Sequence, residues 1–117
     1  LYHYITEISG KIDSTKSIKD IIKAMMPGGS VIGCPKISTL NLLNHQERES
    51  RNIYTGSFGY IKSNLDMRFN IIIRSILNYK GMCEISAASG VVLGSTAKRE
   101  YQENFVKAKS LLGLFAK

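Results

Sequence analysis

No stretch of this sequence is apolar for long enough to cross a bilayer, and no signal-peptide pattern opens it. A helix crossing the membrane is therefore not expected, and a cytoplasmic setting is. Cysteine is scarce: Cys34 and Cys83 lie far apart, with no CxxC spacing and no histidine cluster beside them. That argues against a disulfide framework or a cysteine-ligated zinc site, and for free thiols in a reducing compartment. Acidic residues are outnumbered, nine against sixteen Lys and Arg, which leaves a net charge of +7. A basic chain can attract nucleic acid, an acidic membrane or a small anion. Here the bases are scattered, from Lys11 and Lys16 to Lys107 and Lys109, without a stripe of interleaved exposed aromatics. Nucleic-acid binding is therefore not expected, and much of the excess charge reads as solvated surface.

What is present is an ordinary globular composition. The chain has 117 residues, 44% of them apolar, enough for one domain or a piece of one and too apolar for disorder. There is no low-complexity tract and no internal repeat. Leu1 already sits inside a strand-like pattern, so a segment of a longer polypeptide is expected.

The organising stretch is PGGSVIGCPK, Pro27 to Lys36, which contains both prolines of the chain. Ahead of it, Ile18, Ile21, Ile22, Met25 and Met26 form the i, i+3, i+4, i+7, i+8 stripe of an amphipathic helix. Gly28 and Gly29 follow as helix terminators, and Pro35 opens a second helix running to about Asn44, with Ile37, Leu40 and Leu43 on its buried edge. The run between is expected to be a flexible loop. It reads either as a plain connection or as a set of backbone N–H groups facing an anion at a helix N-terminus.

Residues 1–8, LYHYITEI, alternate as a strand with Leu1, His3 and Ile5 on one face. His3 is either a hydrogen-bonded core residue or a catalyst. After a polar connection, HQERESRN, come three strand-like segments. GSFGYIKS (Gly56 to Ser63) carries glycines that suggest a close approach by another backbone or a ligand. RFNIIIRSIL (Arg68 to Leu77) is so continuously apolar that burial on both faces is expected. MCEISAAS (Met82 to Ser89) is joined to it through Asn78-Tyr79-Lys80-Gly81, a hairpin signal.

Two features of the second half carry charge in suggestive places. Arg74 stands in the apolar strand, where a guanidinium either meets a carboxylate or snorkels to water at a strand end. In the last helix, about Ala97 to Phe115, the residues Tyr101, Phe105, Ala108, Leu112 and Phe115 are expected to be buried. Glu100, Glu103 and Lys107 share its other flank. Two carboxylates on one edge can hold a hard cation with an ammonium one turn on for its anion; equally, Glu103 and Lys107 can form an exposed i, i+4 pair.

Taken in order, LYHYIT, PGGSVIGCPK, YTGSFGYI, DMRFNIIIR, SAASGVV and EYQENFVKAK resemble the C-terminal part of the chorismate-utilising enzymes, in register over essentially all 117 residues. The resemblance implies an α+β fold, an antiparallel-rich sheet with packed helices that is a fragment of the family's two-sheet sandwich. Residues 1–117 would be the C-terminal portion of a chorismate-binding catalytic domain whose N-terminal half is absent. It further implies that chorismate, a dianion, is bound beside Mg²⁺. His3 would help at the C4 hydroxyl. Gly28, Gly29, Ser30 and Gly33 would line the pocket, with Tyr54, Gly56 and Gly59 as another wall. Arg74 and Lys107 would grip a substrate carboxylate, assisted by backbone N–H groups near Ala88 and Gly90. Glu100 and Glu103 would be the metal ligands.

Three positions depart from the family pattern. Ile32 replaces a Thr or Ser, Arg68 an Asp, and Ala88 with Ser89 the usual glycine–alanine order. The PGGS wording and the DMRFN run favour the aminodeoxychorismate synthase branch, which aminates chorismate at C4 with ammonia from a glutamine amidotransferase partner, towards p-aminobenzoate and folate. The sister branch, anthranilate synthase component I, is the alternative. An anion-binding or interaction module without catalysis is the rival of another class. A cut sandwich would leave open strand edges and apolar surface, so self-association is expected, and no turnover from the fragment alone.

Overall fold

The computed structural model describes residues 5–116. In order, the elements are α1 (Ile18–Met25), α2 (Gly29–Ile32), α3 (Lys36–Gln46), β1 (Ser57–Ile61), β2 (Met67–Ile71), β3 (Ile76–Tyr79), β4 (Met82–Ile85) and α4 (Ala97–Leu112). The chain is α+β, and all its strand pairs among the described residues are antiparallel: β1 with β2 and β3 with β4, as separate two-stranded sheets.

Helix α1 starts where its sequence says it should. Ser17 caps it, accepting from the Asp20 N–H, while the Asp20 carboxylate accepts from the Ser17 N–H at 2.9 Å. This reciprocal box satisfies two N–H groups that the first turn leaves without partners. At the other end, Lys36 Nζ donates to the carbonyls of Lys23, Ala24 and Met26 at 2.9, 3.2 and 2.7 Å. A cation is placed on the negative end of α1, and both sides of the Pro27–Lys36 stretch are drawn together.

That stretch is not wholly loop. Gly29–Ile32 close one helical turn, with Gly33 at φ +99° ending it. Pro35 is the N-cap of α3, not its first helical residue. Of the expected α3 edge, Leu40 and Leu43 are partly covered, but Ile37 is 70% exposed. The segment 5–8 forms no strand: Ile5 and Ile8 stand 93% and 89% exposed, and no strand among the described residues pairs with them.

The hairpins follow local chemistry. In β3–β4, Tyr79 faces Met82 and the two-residue turn Lys80-Gly81 has both φ values positive, at 49° and 80°. That is the geometry whose twist suits adjacent antiparallel strands. In β1–β2, Gly59 faces Phe69, and a Cβ on Gly59 would lie 2.0 Å from the Arg68 carbonyl oxygen. The close approach that its glycine announces is thus by another backbone.

The apolar run Arg68 to Leu77 is the largest departure. It is two strands, β2 and β3, in different sheets, and it is not buried on both faces. The break falls at Arg74, whose φ is +53°, a left-handed conformation that ends strand geometry and costs a residue with a Cβ about 1 kcal/mol. Arg74→Ala is therefore expected to be less stable than Arg74→Gly by about 1 kcal/mol in chemical denaturation. Equal midpoints would mean that the backbone at 74 carries no strain. The third strand likewise stops early, at Ile85 and not at Ser89.

In α4 the apolar stripe faces outward. Tyr101 and Phe105, 66% and 57% exposed, touch each other edge-on at 5.1 Å, and Phe115 lies past the helix end. The partly covered face carries Glu100, Asn104, Lys107, Ala108 and Leu111. Ile32 is the one buried hydrophobe among the described residues. The Cα radius of gyration is 16.9 Å, against about 13 Å for a compact domain of this length. The chain as described does not close a core of its own.

Candidate active site

Glu100, Glu103 and Lys107 share one flank of α4, and Arg74 meets the same helix at the Lys107 backbone, on the near side of the β3–β4 hairpin. Arg74 Nη1 donates to the Lys107 carbonyl at 2.9 Å. Lys107 Nζ donates to the Ala88 carbonyl at 3.0 Å and pairs with Glu103 Oε1 at 2.5 Å. Charged groups tied to carbonyls, and not the apolar stripe, thus orient α4 within the described chain. Beside them, hydrogen bonds from the Ser95 hydroxyl first, then Ser89, and more weakly the Lys107 charge, hold the Glu100 carboxyl below its ordinary value. Glu100 accordingly keeps its charge to lower pH than a free glutamate does.

Two carboxylates beside an ammonium on one helix flank offer groups of both signs. Among the described residues no three or more His, Cys, Asp or Glu side chains converge. Mg²⁺ does not require them, since it keeps several waters and takes one or two carboxylates plus oxygens of the bound substrate. The Glu100–Glu103 pair fits that donor set. Asn104 Oδ1, on the face of α4 shared by Glu100 and Lys107, is shielded and lacks a hydrogen-bond partner. Such an acceptor is costly unless a ligand or water supplies a donor.

The second group lies around a cleft of about 420 Å³, within the usual range for small-ligand sites. Pro27, Ile32, Leu40 and Leu43 form one side; Arg51, Tyr54, Thr55 and Gly56 form the other. Tyr54 and Gly56 thus line the same cleft as Pro27 and Ile32 of the Pro27–Gly33 loop. Gly28, Gly29, Ser30 and Gly33 flank this cleft without lining it. Two of those glycines are required by close packing: a Cβ on Gly29 would lie 2.6 Å from Cys34 Sγ, and one on Gly33 would lie 2.8 Å from Thr39 Cγ2. Ile32, the departure from the family pattern, is 8% exposed and supplies the cleft with an apolar floor.

The two groups are joined through one rung of backbone. Thr55 N–H donates to the Ile72 carbonyl at 2.8 Å and Ile72 N–H to the Gly56 carbonyl at 2.9 Å, which places the Tyr54–Gly56 wall two residues from Arg74. No hydrogen bond or ion pair among the described residues links the Gly28–Gly33 loop directly to Arg74 or Lys107. Ala88 takes part through its carbonyl and not its N–H, Gly90 stands exposed, and Gly59 is occupied by its partner strand. The expectations for His3, and for the strand over residues 1–4, lie outside the described residues.

Sequence reasoning missed Arg51 and Glu47, which it had placed in a polar connection. Their i, i+4 spacing after a helix was the available signal. Both cysteines are exposed free thiols, as their spacing suggests. Among the described residues no helix is long and apolar enough to cross a membrane.

With this geometry in place, comparison with known proteins gives the family. Residues 1–113 match the model for chorismate binding enzymes, and the chain belongs to that family. Among curated relatives, aminodeoxychorismate synthase component 1 of Bacillus subtilis (strain 168) is 38% identical over 106 residues, 91% of this chain and 23% of that protein. An anthranilate synthase component I-like protein of Synechocystis is 34% identical over 110 residues, 94% of this chain and 23% of its own length. Aminodeoxychorismate synthase component 1 of Escherichia coli (strain K12) is 31% identical over 112 residues, 96% of this chain and 25% of its own. The chain spans about a quarter of the length of these relatives.

Proposed function

We propose that this chain is the C-terminal portion of the chorismate-binding domain of an aminodeoxychorismate synthase component I. The observation that supports this reading is the grouping of Glu100, Glu103 and Lys107 on one flank of α4, with Arg74 bonded to the backbone of the same helix at Lys107. The outward apolar stripe of α4 and the short span relative to known relatives support its being part of a larger domain.

In this reading Lys107 and Arg74 seat a carboxylate of chorismate, and the Pro27–Gly33 loop and Tyr54–Gly56 form the walls beside the ring. Glu100 and Glu103 hold Mg²⁺, which offsets carboxylate charge when bound. The net reaction replaces the C4 hydroxyl with an amino group: the C4–O bond breaks, a C4–N bond forms from ammonia, and water is released. The ammonia comes from a glutamine amidotransferase partner, in keeping with the "component 1" in the names of several relatives. Among the described residues, the carboxylates at the site are held by Lys107 and by serine hydroxyls.

The anthranilate synthase reading is favoured by one observation, the 34% identity to the Synechocystis protein. The two reactions differ in a measurable by-product. The natural-length protein, given chorismate, ammonium and Mg²⁺, is expected to yield an aminated product that keeps its enolpyruvyl group. Pyruvate release with a fluorescent aromatic product would select the sister reaction, and neither product would select a binding module without catalysis.

A further inference from the structure

We infer that Arg51 is a positioning residue: it sets the Gly28–Gly33 turn against the Tyr54–Gly56 wall, and so fixes the width of the cleft between them. The guanidinium is shared among three elements. Its Nε donates to Glu47 Oε1 and Oε2 at 3.1 and 2.8 Å, and Nη2 donates to Glu47 Oε1. Its Nη1 donates to the Val31 carbonyl at 3.0 Å and to Thr55 Oγ1 at 3.2 Å. The Thr55 hydroxyl in turn donates to the Tyr54 carbonyl at 2.6 Å. One planar cation therefore spans the end of α3, the α2 turn and the opposite wall.

The α2 turn needs such support. A single helical turn does not hold itself, because its few hydrogen bonds do not offset the ordering of its backbone. Its internal bonds run from the Val31, Ile32 and Gly33 N–H groups to the Gly28 and Gly29 carbonyls, which fixes its shape but not its place. Lys36 fastens the ends of the stretch to α1. Arg51 alone, among the described residues, bonds its middle to the far side of the cleft. The Arg51 side chain is 26% exposed and its guanidinium carries a bidentate carboxylate, so its direction is set before any ligand arrives. A lysine has a single nitrogen and cannot reproduce the fork.

This inference rests on the chorismate reading for its consequence but not for its geometry, and the test separates them. Amide hydrogen exchange in the natural-length protein is compared between wild type, Arg51→Met and Arg51→Lys, alongside chorismate titrations. Both variants are expected to speed exchange at Val31, Ile32 and Gly33 at least tenfold, with β3, β4 and α4 amides unchanged. Both are expected to raise the chorismate Kd about tenfold, with lysine giving no rescue. Unchanged exchange at residues 31–33, or acceleration spread evenly over the molecule, would overturn the positioning role. Faster exchange at 31–33 with wild-type chorismate affinity would overturn it too, because the turn would then not bear on the ligand. Should wild type itself bind no chorismate, the function reading fails, while the exchange result still decides whether Arg51 sets the turn.

Discussion

Lys107→Met is expected to weaken chorismate binding about a hundredfold while changing folding stability by 1 kcal/mol or less. The two halves of that expectation come from different environments. In the folded chain the Lys107 ammonium pairs with Glu103, and the two side chains are 28% and 49% exposed. Pairs this accessible contribute at most about 1 kcal/mol. Towards a bound carboxylate the same ammonium makes a charge-assisted hydrogen bond in a setting from which the ligand excludes water. Such bonds are worth about 1.5–3 kcal/mol, and 1.4 kcal/mol is a factor of ten in affinity. Loss of Lys107 also leaves Glu103 facing the incoming anion without its counter-charge, which adds repulsion. Calorimetric titration and chemical denaturation of the same variant separate the effects. Wild-type affinity in Lys107→Met would remove this residue from the site.

Gly59→Ala is expected to cost about 3 kcal/mol or to prevent folding of the β1–β2 hairpin. A methyl group there would sit 2.0 Å from the Arg68 carbonyl oxygen and 2.8 Å from the Phe69 Cα. Both are backbone atoms of the paired strand, so no rotamer change relieves the clash. The strands must separate, and forced overpacking typically costs about 1–3 kcal/mol even where side chains can yield. The consequence reaches the site, because the Thr55–Ile72 and Gly56–Ile72 hydrogen bonds continue the same ladder towards Arg74. Thermal unfolding of the natural-length protein should show a clear fall in Tm. A Tm equal to wild type would mean that the two strands do not approach as closely as they do here.

How much was legible in the sequence depended on whether a feature was local. The α1 stripe and the existence of a hairpin at Asn78–Gly81 are set by neighbours within a few residues and are readable from spacing and turn chemistry, although Asn78 and Tyr79 belong to β3 and only Lys80-Gly81 turn. The split of residues 68–77 is not readable, because nothing in an unbroken apolar run marks the positive φ of Arg74. The outward stripe of α4 was misread for a related reason. Periodicity says which face needs cover, and within the described residues no element covers Tyr101 and Phe105. That Arg74 meets α4 at all, through the Lys107 carbonyl, is not marked by spacing, because the two residues are 33 positions apart. Arg51 was passed over because its partners, Val31 and Thr55, belong to segments that spacing alone does not bring together.

The central claim is that a doubly charged ring acid is seated by Lys107 and Arg74 beside a magnesium ion held by Glu100 and Glu103. Its most direct test is calorimetric titration of chorismate into the natural-length protein, with and without Mg²⁺. The account predicts saturable binding that Mg²⁺ tightens, and loss of the Mg²⁺ effect in Glu100→Gln/Glu103→Gln. Chorismate heats that are absent in both conditions, or identical with and without the metal, would contradict it.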